Sequence, residues 1–140
     1  MACQNNRLVI KIKSGEARGI GITIKTNSGT LDPLTNKPIY NALDLSSYTV
    51  SFQIKKYPYF TVEPIIDKEI TRVEDGTVGW ILDQSGDDKG KFIVQITLED
   101  LAKLTPEKDY YLILTLISGD TRTIISGENE KSGIFRVCKS

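Results

Sequence analysis

Histidine is absent from the 140 residues of this chain. That removes the usual general base, the commonest metal ligand and the side chain that changes charge near neutral pH. Ser-His-Asp and Cys-His catalysis are excluded within the chain. Cysteine is nearly absent too: Cys3 and Cys138 lie near opposite ends and share no Cys-x-x-Cys spacing, so they form neither a zinc site nor a thioredoxin-type motif. Chain ends of compact domains often lie close together, so either a Cys3–Cys138 disulfide or two free thiols in a reducing compartment fits the pair. No apolar run approaches the roughly 18 residues of a membrane span, and Met1–Arg7 has no basic stretch followed by an apolar core. The chain is expected to be soluble, without a membrane partner, and synthesised in a cytoplasm. Charge of one sign is also missing: 18 Lys and Arg balance 18 Asp and Glu. A neutral chain has no overall field to draw in nucleic acid or an acidic membrane. It is also weakly protected against self-association.

What is present is short alternating runs of apolar residues. The length suits one domain over 1–140. Leu8, Ile10 and Ile12 alternate with Val9 and Lys11, and Ile20, Ile22 and Ile24 alternate after the Ser14–Gly19 turn. Two such runs around a glycine-bearing turn predict a hairpin or arm over 1–26. Residues 27–48 show no clear period and hold Gly29, Pro33 and Pro38, which predicts a long loop. Within it Leu31, Leu34, Ile39 and Tyr40 are candidate contact residues, since a loop of that length is often ordered only in a complex.

Residues 49–138 read as the core of a sandwich. Val50, Phe52 and Ile54 alternate inward against Ser51, Gln53 and Lys55. Ile65–Thr71 is a short strand, Val78, Trp80 and Leu82 share one face with Trp80 read as core, and Phe92, Val94, Ile96 and Leu98 share another. Thr97 suits a helix N-cap with Asp100 three residues on, and Thr105-Pro106 ends that short turn. Tyr110–Ile117 is apolar on both faces, so it is expected to be central with its second face covered. The pattern predicts an all-β, single antiparallel sandwich of about eight or nine short strands with one short helical turn.

No pattern carries convincing chemistry. Asp83, Asp87 and Asp88 sit in a glycine-bearing turn but lack EF-hand spacing, and Asp and Gly are ordinary turn residues. Gly86–Lys91 resembles a phosphate loop but has Phe92 where Ser or Thr must hold magnesium, and it precedes a strand. Lys55, Lys56, Tyr57, Tyr59 and Phe60 mix bases with aromatics as single-strand nucleic-acid binders do, yet no second basic stripe supports them. Tyr57, Tyr59 and Phe60 suit an exposed protein-contact anchor equally well. No metal, cofactor or catalytic residue is expected.

From Asp44 onward the segments Asp44–Phe52, Gly76–Val78, Lys91–Leu98, Leu104–Tyr111 and Gly133–Val137 resemble those of tailed-phage virion proteins. They are similar to the N-terminal domain of phage baseplate upper proteins and related Ig-like tail and fibre modules. Ser47 stands where those modules have glycine, Glu107-Lys108 replaces their Pro-Gly turn, and the large C-terminal receptor-binding region often attached to them is missing. The resemblance implies an Ig-like sandwich and a non-enzymatic structural role in a virion, as a baseplate, tail, collar or decoration protein. It implies other virion proteins and copies of this chain as partners. The alternative is a carbohydrate-binding or adhesin-like module using Tyr57, Tyr59 and Phe60.

Overall fold

The computed structural model describes residues 9–57, 59, 61–126 and 133–139, with the side chains of Asn27 and of 124–126 left out. Eleven strands build it: β1 (Val9–Lys13), β2 (Arg18–Thr23), β3 (Lys25–Leu31), β4 (Pro38–Ala42), β5 (Thr49–Lys55), β6 (Ile66–Ile70), β7 (Gly79–Ile81), β8 (Lys91–Ile96), β9 (Asp109–Ser118), β10 (Thr121–Ser126) and β11 (Gly133–Cys138). One short helix, α1 (Leu98–Ala102), lies between β8 and β9. The large sheet runs β1-β11-β9-β5-β6, with β10 also paired to β9; the small sheet runs β2-β8-β7; β3 and β4 pair only with each other. β9 is long enough for its first residues to pair with β11 and its last with β10, while β5 takes the other flank.

This is an Ig-like sandwich. β2, β8 and β7 occupy the B, E and D positions of that topology, and β11, β9, β5 and β6 occupy G, F, C and C′. β1 runs parallel to β11, the one parallel pair among the described strands. Tyr110 opens β9 and its hydroxyl accepts a hydrogen bond from the Thr105 N–H at 2.8 Å. That is the tyrosine corner of Ig-like folds, a side chain that clamps the connection entering strand F.

The core forms where alternating apolar faces of the two sheets meet. Val50, Phe52 and Ile54 of β5 and Leu112, Leu114 and Leu116 of β9 lie against Phe92, Val94 and Ile96 of β8. Phe52 and Phe135 meet edge to face, with ring centres 6.5 Å apart. α1 is held by the expected cap: the Thr97 hydroxyl accepts from the Asp100 N–H, and Asp100 Oδ2 accepts from the Thr97 N–H at 2.9 Å. Each such bond satisfies a donor that the first helical turn leaves unpaired.

Four sequence expectations are corrected. β1 and β2 form no hairpin: β1 joins β11 and β2 joins β8, in different sheets. The Glu16 N–H donates to the Lys13 carbonyl, and Gly15 takes φ +82, so this turn carries the chain from one sheet to the other. Residues 27–48 are no loop, because β3 and β4 form an antiparallel hairpin there. Its residues lack alternation because it buries neither face: every residue of β4 but Ala42 is exposed. Trp80 is not core. Ile81 enters the core instead, and Trp80 pairs with Ile93 on the opposite, outward face of the small sheet. Leu98 starts α1 and is exposed rather than extending the buried face of β8.

Candidate functional site

Two groups of exposed apolar side chains stand out, at opposite ends of β5. The first is the β3–β4 hairpin, which carries Leu31, Leu34, Ile39 and Tyr40; Leu34 at the tip is 93% exposed. The second is the segment after β5, where Tyr57 and Tyr59 are each about half exposed. Phe60 and Cys3 fall outside the described residues, and Cys138 is a half-buried free thiol. β5 runs between these two ends and, with seven extended residues, is roughly 20 Å long. The sequence-derived contact residues therefore divide between two surfaces.

The hairpin is tied to the sandwich at its root. The Ile24 N–H donates to the Gly90 carbonyl at 2.8 Å, and the Leu43 N–H donates to the Ile24 carbonyl at 3.0 Å. Gly90 has φ +82, and a Cβ there would lie 2.6 Å from the Ile24 carbonyl oxygen, so this close approach needs glycine. Gln84 ties the root together. Its Oε1 accepts from the Leu45 N–H and from the Gly90 N–H, both at 2.8 Å, and its Nε2 donates to the Leu82 carbonyl at 2.7 Å. Gln84 is buried, as is Leu45. Nothing in the sequence marked Gln84, because a glutamine in a polar turn looks like surface. Asp44 and Asp32 cap local turns, accepting from the Ser46 and Leu34 N–H groups respectively. The Asp44 carboxyl is held below the usual carboxylate range by those Ser46 hydrogen bonds.

The outward face of the large sheet carries a groove of about 800 Å³. Ser51, Gln53 and Lys55 of β5 and Ile113 and Thr115 of β9 form its floor. Residues 61–64 return across the face as one wall, and Asp67 of β6 and Arg122 of β10 complete the lining. This returning segment is the cover expected over the second apolar face of β9: Ile113 is 3% exposed although it points away from the core cluster. Lys55 is also nearly enclosed, at 4% exposure, and its Nζ donates to the Tyr59 carbonyl at 3.1 Å. No carboxylate reaches it: neither Glu63 nor Asp67, in the same groove, is among the salt bridges of the described residues. Arg122 is likewise unpaired there.

A second depression, about 490 Å³, differs in kind. Its buried charges are paired: Lys68 Nζ lies 2.7 Å from Asp100 Oδ2 and donates to the Thr77 carbonyl at 2.6 Å. Lys68 points inward between Ile66 and Ile70, so this ion pair joins β6 to the cap of α1. Burial pushes the Asp100 carboxyl up, but the hydrogen bonds from Lys68 and Thr97 outweigh it and hold it below the usual range. This is a structural strut.

Among the described residues no three His, Cys, Asp or Glu side chains come together as metal ligands. Asp83 and Asp88 are spent on a turn and an exposed ion pair, accepting from the Ser85 N–H and lying 3.8 Å from Lys91 respectively. No helix among the described residues is long and apolar enough to cross a membrane. No protein-family model matches this chain, and no curated protein does. The geometry of the two surfaces therefore carries the functional argument.

Proposed function

We propose that this protein is a non-enzymatic assembly module that works by protein–protein contact, with the β3–β4 hairpin as its contact element. One observation carries the reading: four large apolar side chains are exposed on a two-stranded hairpin that buries neither face against its own sandwich. An isolated two-stranded hairpin is at best marginally stable in water. Large apolar side chains left exposed on both faces of such an element mark it as a site of protein association. Gln84 ties the root of the hairpin to the sandwich, and the balanced charge of the chain offers little repulsion between copies.

The setting we propose is a tailed-phage virion, on the resemblance of the Asp44–Val137 segments to Ig-like baseplate and tail modules. Its partners there are copies of itself and other virion proteins, and its making is in the cytoplasm of a bacterial host. Baseplate, tail, collar and head decoration all suit a hairpin that reaches into a neighbour. Sedimentation velocity across a wide concentration range tests the contact element. The wild type should shift to larger species as concentration rises, and Leu34→Asp with Tyr40→Asp should remain monomeric with an unchanged circular dichroism spectrum. Equal association by the two proteins would remove the hairpin from the interface.

A further inference from the structure

We propose that the groove on the outward face of the large sheet is a binding site for a carboxylate-bearing saccharide, with Lys55 as its anion anchor. This goes beyond the assembly reading and uses a different surface.

The argument starts from Lys55. A lysine on the outward face of a strand normally extends into water, because burying an ammonium without a counter-charge is costly. Here the side chain is 4% exposed, and among the described residues its Nζ makes one hydrogen bond, to the Tyr59 carbonyl, and meets no carboxylate. The fold does not need this charge. The core is complete on the other face of β5, and a buried lysine that serves structure in this same molecule, Lys68, is paired with a carboxylate at 2.7 Å. Lys55 lies in a groove with two carboxylates, Glu63 and Asp67, and neither closes on it. Among the described residues the site therefore keeps a cation without a counter-charge, and separate acceptors.

That arrangement selects a class of ligand. A carboxylate would meet the Lys55 ammonium in charge-assisted hydrogen bonds, with Arg122 as a second cation farther along the groove. The same ligand must present hydroxyl donors to Asp67 and Glu63, and it meets the amide of Gln53 and the hydroxyls of Ser51 and Thr115 on the floor. It must also offer a C–H face to Ile113, which is buried at the bottom. A saccharide carrying a uronic or similar acid has all three surfaces. A bare anion has only the first, and it would face two carboxylates with nothing to give them. The volume, about 800 Å³, lies within the range of small-ligand sites.

The test is a ¹⁵N-resolved NMR titration of the full chain with trigalacturonic acid, with maltotriose as the neutral saccharide and acetate as the bare carboxylate. Trigalacturonic acid should shift the Gln53, Lys55, Ile113 and Thr115 amides saturably, while the other two probes leave them in place. Lys55→Met should weaken binding by about tenfold or more, the scale of a lost charged hydrogen bond. Asp67→Asn, on an exposed side chain that carries no folding load, should weaken it as well and keeps the test intact if Lys55→Met does not fold. Leu34→Asp should bind as wild type does, which separates this site from the hairpin. Equal response to acetate or maltotriose, no saturable shift with trigalacturonic acid, or full affinity in Asp67→Asn would each overturn the assignment.

Discussion

Replacing Gln84 with methionine keeps the volume of the side chain and removes its hydrogen bonds. In the folded protein Gln84 Oε1 accepts from two backbone N–H groups, those of Leu45 and Gly90, and Nε2 donates to the Leu82 carbonyl. Leu45 is fully buried and Gly90 is buried, so neither donor gains water when the glutamine goes. A buried donor left unsatisfied costs about 1–3 kcal/mol, so two cost roughly 2–6 kcal/mol, with the freed Leu82 carbonyl adding little beside them. For a domain of this size that is a fall in melting temperature of about 6–18 °C. Gln84→Glu separates the terms. Its carboxylate still accepts from both N–H groups but has no donor for the Leu82 carbonyl, so it should destabilise through that repulsion and recover partly at low pH. Urea denaturation followed by fluorescence gives both values, and amide exchange at Leu45 and Gly90 shows whether the loss is local. A Gln84→Met loss below about 0.5 kcal/mol, within the range of an ordinary surface change, would refute the claim that this side chain holds the hairpin root.

Two further expectations follow from buried or strained positions. Asp100→Asn should cost about 3–5 kcal/mol, because it leaves the Lys68 ammonium enclosed without a counter-charge. Since the folded Asp100 carboxyl titrates below its unfolded value, its contribution is fully present above about pH 4 and is lost as pH falls through the lower folded value, so wild type should lose stability there and Asp100→Asn should lose less. Glu107 has φ +63, a left-handed conformation, while its N–H donates to the Val137 carbonyl and its Oε1 accepts from the Lys139 N–H. Glu107→Gly and Glu107→Ala lose the same side-chain bonds, but glycine alone is relieved of the left-handed strain, so the glycine variant should be about 1 kcal/mol the more stable in thermal melts.

Much of the fold was legible in the alternation. β5 and β8 present Val50, Phe52, Ile54 and Phe92, Val94, Ile96 to the core, because a strand half-buried in a sandwich must alternate. The Thr97–Asp100 cap was legible because capping is local, and the doubly apolar β9 announced a covered outer face that now holds Ile113. Pairing was not legible. Alternation says which way a strand faces and not which strand lies beside it, so β1 and β2 looked like a hairpin although they belong to opposite sheets. Trp80 was misplaced because β7 has only three residues, and Gly79, with φ +123 and the Ile93 backbone pressed against it, sets their phase. The apolar residues of the hairpin were legible from composition as contact candidates and are exposed, but the hairpin itself was not legible, since a pair of strands wet on both faces has no apolar period to read. Gln84 drew no notice because its burial comes from a segment distant in sequence, the Leu45 turn, while Lys55 was read as an outward base beside the aromatics because alternation gives the face of a residue and not whether it is enclosed.

The hairpin as contact element is the central claim, and amide hydrogen exchange tests it most directly. Exchange measured on dilute and on concentrated protein should show new protection over residues 25–42 in the associated form, with the outward groove of the large sheet unchanged. Association with protection elsewhere, and with residues 25–42 exchanging as freely as in the dilute protein, would contradict the account.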